Sequence, residues 1–109
     1  MSRLTSEFWV AAYRARLSAE GIPAYVTARG DPTAGAVLVK LSTMDGAATL
    51  FGRAYADEGA RVWHVLAEGP EAEVDAAAAR QRARDPDLWL IEIEDRRGRT
   101  LLDQDGLSD

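Results

Sequence analysis

The chain has 109 residues, of which 47% are hydrophobic and 28% charged, and this balance is typical of one globular domain with a single core. The absence of cysteine excludes a disulfide scaffold, a cysteine zinc site and a thiol nucleophile. The net charge of −5 argues against nucleic acid as a partner, because a nucleic-acid binder carries a basic footprint.

The N-terminal half predicts one helix followed by three strands. Apolar residues recur at helical spacing from about Ser6 to Glu20. Thr5 or Ser6 can cap this helix, and Gly21 can end it. Strand-forming residues then occupy three segments, which are Ala24–Arg29, Ala36–Leu41 and Ala48–Phe51. Asp45-Gly46 between the last two segments predicts a hairpin turn.

The C-terminal half predicts a fourth strand, a second helix and the strongest strand of the chain. The residues from Tyr55 to Ala60 are small, polar and acidic, which is typical of a mobile loop. The second helix opens at Gly69-Pro70-Glu71, because proline suits the first helical position, where its missing N–H has no partner. This helix runs to about Arg84, between a strand at Arg61–Leu66 and a strand at Leu88–Glu94, and Arg99–Leu102 is a candidate sixth strand.

Together these elements predict a single α+β domain over residues 1–102, followed by a frayed acidic tail over residues 103–109. The order is α-β-β-β-β-α-β. Short links between the first four strands favour a mainly antiparallel sheet of five strands, or six with the candidate strand, and two helices pack against it. The place of the last strand in the sheet stays open. We also expect a cytoplasmic protein without a membrane partner, because no apolar run reaches the length of a leader or a membrane span.

No catalytic constellation is visible, so we expect a non-enzymatic interaction domain. The first helix brings Trp9, Tyr13 and Arg16 onto one arc, and these residue types are enriched at the energetic centres of interfaces. The expected partner is another protein or a second copy of the chain. The pattern indicates no cofactor and no metal site.

The alternative is a small enzyme or ligand-binding domain with a polar site. Its residues would be Arg61, His64, Glu92 and Glu94. Two carboxylates on one strand face could divide acid and base roles, with the only histidine as a proton carrier. A half-buried structural histidine and a solvated strand face explain the same residues without a site.

Two basic features also allow more than one interpretation. Lys40 is the only lysine and closes an apolar strand. If buried, it could act as a nucleophile or base, but such lysines more often lie at an edge or extend to water. Arg80, Arg82 and Arg84 close the second helix, where they offset the helix dipole and leave local RNA binding as a third alternative.

Short motifs run along nearly the whole chain, over about residues 3–102. They are Trp9–Tyr13, Arg29–Asp31, Ala34–Ala36, Asp45-Gly46, Thr49–Gly52 and Asp85–Trp89, which continues into Glu92–Asp95. In this combination the chain resembles a family of small, mainly alphaproteobacterial proteins, the domain of unknown function 1491. The resemblance implies a stand-alone cytoplasmic domain. It implies no activity, and no catalytic residue is carried over from it.

Overall fold

A computed structural model describes residues 4–55, 61–104 and 107 of the chain. It contains two helices and five strands in the predicted order, so the predicted α+β class is confirmed. The helices are α1 (Ser6–Ala19) and α2 (Glu71–Arg84), and the strands are β1 (Ala24–Ala28), β2 (Val37–Ser42), β3 (Ala47–Tyr55), β4 (Arg61–Pro70) and β5 (Trp89–Glu94). The candidate sixth strand at 99–102 does not form.

The five strands form one sheet in the order β1-β5-β2-β3-β4. The antiparallel pairing of β2, β3 and β4 is as predicted. The place of the last strand, which the sequence left open, is between β1 and β2: β5 is parallel to β2 and antiparallel to β1. The link before β2 is held against the start of β5, where the Asp31 amide donates to the Asp87 carbonyl at 3.0 Å and the Trp89 indole donates to the Asp31 carbonyl at 2.7 Å.

One face of the sheet is covered by α1. The Thr5 hydroxyl accepts a hydrogen bond from the Phe8 amide at 3.2 Å, and Gly21 follows the helix with a positive φ of 72°. The buried residues of α1 pack on every second residue of β2 and β5, which is the period that a strand presents to one face. The main members of this core are Trp9, Val10, Tyr13, Leu17, Val39, Trp89, Ile91 and Ile93.

The opposite face is covered by α2, so the domain has three layers. Only Val74 and Ala78 of this helix are buried, which fits its alanine-rich sequence. They pack on a smaller core that contains Leu38, Ala48 and Leu50 of the sheet and Leu88, which immediately precedes β5. Short side chains let the helix lie close to the sheet, but they bury little apolar area.

The β3–β4 hairpin reaches beyond the end of β2. Pairing with β2 ends at Phe51, whereas β3 continues to Tyr55. The strand predicted to end at Phe51 therefore extends further than expected, because Gly52 fits inside it. A Cβ atom at Gly52 would lie 2.6 Å from the Leu66 Cδ1 atom, so a glycine here lets Leu66 lie across β3. Leu66 itself lies at a β-bulge, and the mobile loop expected at residues 56–60 lies outside the described residues.

The segment after β5 closes the α1 face. Leu101, Leu102 and Leu107 are buried there, and the Trp63 indole donates to the Leu107 carbonyl at 3.1 Å. The frayed tail predicted for residues 103–109 is described at three positions only, and residues 105, 106, 108 and 109 lie outside the described part. Neither helix has the length and apolar character that crossing a bilayer requires, over the residues described.

Candidate functional site

The predicted interaction residues Trp9, Tyr13 and Arg16 do not share a surface. Trp9 and Tyr13 are buried against the sheet, with 4% and 0% of their surface exposed, whereas Arg16 is exposed. The Tyr13 hydroxyl donates to the Thr100 carbonyl at 2.8 Å, and burial raises the pKa of this phenol above its usual range. The two aromatic side chains therefore hold α1 on the sheet and are not available to a partner.

A different arginine stacks on the buried aromatic residues. The Arg53 guanidinium lies 4.7 Å from the ring centroids of both Trp9 and Trp63, and the two indoles are 5.5 Å apart. Such contacts add to stability through the negative faces of the rings. Sequence reasoning missed Arg53, although it lies two residues after Phe51 and so on the same strand face.

The alternative polar site is not assembled. His64 is exposed on β4, Glu92 and Glu94 are on β5, and β2 and β3 lie between these strands. Three strand spacings of about 4.8 Å separate the two strands by about 14 Å. The side chain of Arg61 lies outside the described part of the structure. No cluster of three or more metal-ligating side chains is found among the described residues.

Glu94 has a partner at the β1 edge of the sheet instead. Its Oε1 atom accepts a hydrogen bond from the Tyr25 hydroxyl at 3.3 Å. The negative charge of Glu94 raises the pKa of Tyr25. Glu92 contacts Lys40, so the two carboxylates predicted on one strand face serve different partners.

Lys40 is buried at the centre of the sheet, between three carboxylates. Its Nζ atom lies 2.6 Å from Asp75, 2.8 Å from Glu71 and 3.3 Å from Glu92. Burial alone lowers the pKa of the ammonium group, but hydrogen bonds to Asp75 and Glu71 and the charge of Glu92 outweigh it and raise the pKa above its usual value. Lys40 is therefore held in its charged form, which is the opposite of what a lysine nucleophile or base requires.

The outer strand β4 carries exposed apolar side chains at one edge of the sheet. This ten-residue strand pairs only with β3 among the described strands. Val62, Val65 and Leu66 are exposed by 37%, 50% and 43%, and we call these three residues with the strand that carries them the β4 edge. Alternation predicted the strand, but its outer position depends on the strand order, which the sequence left open.

Comparison with known proteins places the chain in a family. The family model described as "Protein of unknown function (DUF1491)" matches residues 4–103. A crystal structure of a DUF1491 family protein from Caulobacter crescentus is 42% identical with a TM-score of 0.86, and the match covers 93% of this chain and 96% of that one. A solution structure from the same organism is 41% identical with a TM-score of 0.82, covering 94% and 96%.

A solution structure of a protein from A. tumefaciens is also similar, with 33% identity and a TM-score of 0.73 over 85% of this chain and 86% of that one. No curated protein matches the sequence. The match to the family model spans nearly the whole chain and agrees with the structural similarity. The chain therefore belongs to the DUF1491 family.

Proposed function

We propose that this protein is a non-enzymatic interaction domain that pairs through the β4 edge, with a second copy of the chain as its partner. One observation carries the proposal: a ten-residue outer strand exposes three aliphatic side chains. An outer strand presents unpaired backbone N–H and C=O groups, and proteins normally protect a long one with charges, prolines or covering elements. Exposed aliphatic residues on such a strand favour the addition of another strand.

The sequence of β4 suits antiparallel pairing with itself. In a two-fold arrangement centred on His64, Val62 of one copy lies opposite Leu66 of the other. On the other face, Trp63 lies opposite Val65. This register pairs every exposed aliphatic residue of the strand with an apolar neighbour and leaves the two His64 side chains side by side at the axis.

The chemistry of the interior supports a non-enzymatic role. The one buried lysine is neutralised by carboxylates and kept protonated. The histidine and the carboxylates of the alternative site are on strands about 14 Å apart.

Sedimentation velocity over a wide range of protein concentrations tests the proposal. We expect the wild type to form a dimer as the concentration rises, and Val65→Lys to weaken the dimer by about tenfold or more, because two ammonium groups are forced into an apolar contact. Met44→Lys is the matched control, since Met44 is 47% exposed but lies at the β2–β3 turn. A wild type that stays monomeric throughout, or equal effects of the two substitutions, contradicts the proposal.

A further inference from the structure

A second surface feature lies between the C-terminal end of α2 and the sheet. It is a cleft of about 460 Å³, which is within the size range of small-molecule sites. Its apolar floor includes Leu38, Leu66 and Leu88, and Gly52 contributes no side chain. Arg53 also lines the cleft, but its guanidinium stacks on Trp9 and Trp63, which belong to the core on the other face of the sheet. Leu38 and Leu88 are buried members of the smaller core, so the floor is a fixed part of the fold.

The rim of the cleft carries polar groups that the fold does not use. Gln81 and Arg84 project from the last turns of α2, and neither side chain has a hydrogen bond or ion pair with any described residue. Arg82, between them, is different: its guanidinium donates to the carbonyls of Arg29 and Pro86 at 3.2 and 3.3 Å. The helix thus uses one arginine to hold its own end in place and leaves Arg84 free above an apolar floor.

A guanidinium beside an apolar floor is complementary to a carboxylate with an aliphatic chain: the guanidinium binds the carboxylate and the floor contacts the chain. We propose that this cleft binds a small carboxylate of that kind, with its chain on Leu38, Leu66 and Leu88 and its carboxylate on Arg84 and Gln81. A neutral molecule of the same shape fills the floor equally well but leaves Arg84 without a partner.

Asp85 also lines the cleft, and its negative charge repels a bound anion. Its Oδ1 atom accepts a hydrogen bond from the Asp87 amide at 3.1 Å, so the carboxylate is fixed at one end of the rim. The bound carboxylate must therefore lie on the Arg84 side. An asparagine at position 85 keeps an oxygen acceptor for Asp87 and removes the opposing charge, which makes Asp85→Asn an informative variant.

Octanoate and its neutral analogue octan-1-ol are suitable probes, with methyl and amide NMR shifts of the full chain as the readout. We expect octanoate to shift the methyl signals of Leu38, Leu66 and Leu88 in a saturable way. We expect octan-1-ol to bind more weakly, by about tenfold or less, because it forms no charge-assisted hydrogen bond with Arg84. Arg84→Met should lower the affinity for octanoate by about the same factor. Asp85→Asn should raise the affinity for octanoate, because it removes the opposing charge.

Arg80→Met is the matched control, because Arg80 is exposed on the same helix but does not line the cleft. It should leave the affinity for octanoate unchanged. Three results overturn the inference: no saturable shift at the three leucines, shifts confined to Val62 and Val65 of the β4 edge, or equal affinity for octanoate in wild type and Arg84→Met. Equal affinity for octanoate and octan-1-ol also overturns it, because the anion then contributes nothing.

Discussion

The Lys40 ammonium and the Asp75 carboxylate form an ion pair of 2.6 Å that joins the central strand β2 to helix α2. Glu71 lies one turn earlier on the same face of the helix and accepts from the same ammonium at 2.8 Å. Because α2 buries only Val74 and Ala78, these contacts add to the small apolar area that packs it on the sheet. Three acidic residues thus converge on the only lysine of the chain.

Replacement of the lysine tests this attachment. Lys40→Met should lower the free energy of unfolding by about 1–3 kcal/mol in urea denaturation, since it leaves three carboxylates without their counter-ion. The loss is below that of a fully buried pair because the Asp75 side chain is 56% exposed and can regain water. Asp75→Asn should lower the free energy of unfolding by less than Lys40→Met does, because Glu71 and Glu92 still contact the lysine. A Lys40→Met variant as stable as the wild type contradicts this account.

The Tyr13 hydroxyl links α1 to the segment after β5. Tyr13→Phe should lower the free energy of unfolding by about 1 kcal/mol at neutral pH, because the Thr100 carbonyl loses its donor.

The same substitution should change how the free energy of unfolding depends on pH in the alkaline range. Burial raises the pKa of Tyr13 in the folded state. The hydroxyl therefore contributes fully to the free energy of unfolding below about pH 10, where an unfolded tyrosine ionises. This contribution is lost as the pH rises from there toward the pKa of the folded state. The stability gap between wild type and Tyr13→Phe should therefore narrow above about pH 10. A gap that stays constant or widens in urea denaturation at alkaline pH contradicts this interpretation.

The helices and β5 could be predicted from the sequence because their signals are local. Caps, a glycine stop and strict alternation mark their ends to within a residue or two. The extension of β3 past Gly52 could not be predicted, because a glycine usually signals a turn and here fits under Leu66, which is distant in the sequence.

The candidate site was less accessible to sequence reasoning. Aromatic residues on a helix are typical of both a core and an interface, so Trp9 and Tyr13 suggested a surface that the fold instead buries. The partners of Lys40 lie between 31 and 52 positions later in the chain and become neighbours only through the crossover that inserts β5 beside β2. The outer position of β4 among the described strands is a property of the same strand order.

The contact between the β1–β2 link and the start of β5 gives another prediction. A Cβ atom at Gly30 would lie 2.6 Å from the Leu88 carbonyl carbon and 2.7 Å from the Trp89 ring. Gly30→Ala should therefore lower the free energy of unfolding by about 2–3 kcal/mol, since the backbone on both sides must shift. Gly21→Ala is the control: nothing lies within 4 Å of its Cβ, and only the positive φ of 72° costs about 1 kcal/mol. Urea denaturation showing a smaller loss for Gly30→Ala than for Gly21→Ala contradicts this packing.

The pairing of two β4 edges is the central claim, and a single-cysteine experiment tests it most directly. The chain has no cysteine, so His64→Cys places one thiol at the proposed two-fold axis. Residues directly opposite in an antiparallel pair have Cα atoms about 4.5–5.5 Å apart, which is within the range that a disulfide spans. Under mild oxidation we predict a covalent dimer from His64→Cys on a non-reducing gel, and much less from Met44→Cys. Equal, slow cross-linking of the two variants would contradict the account.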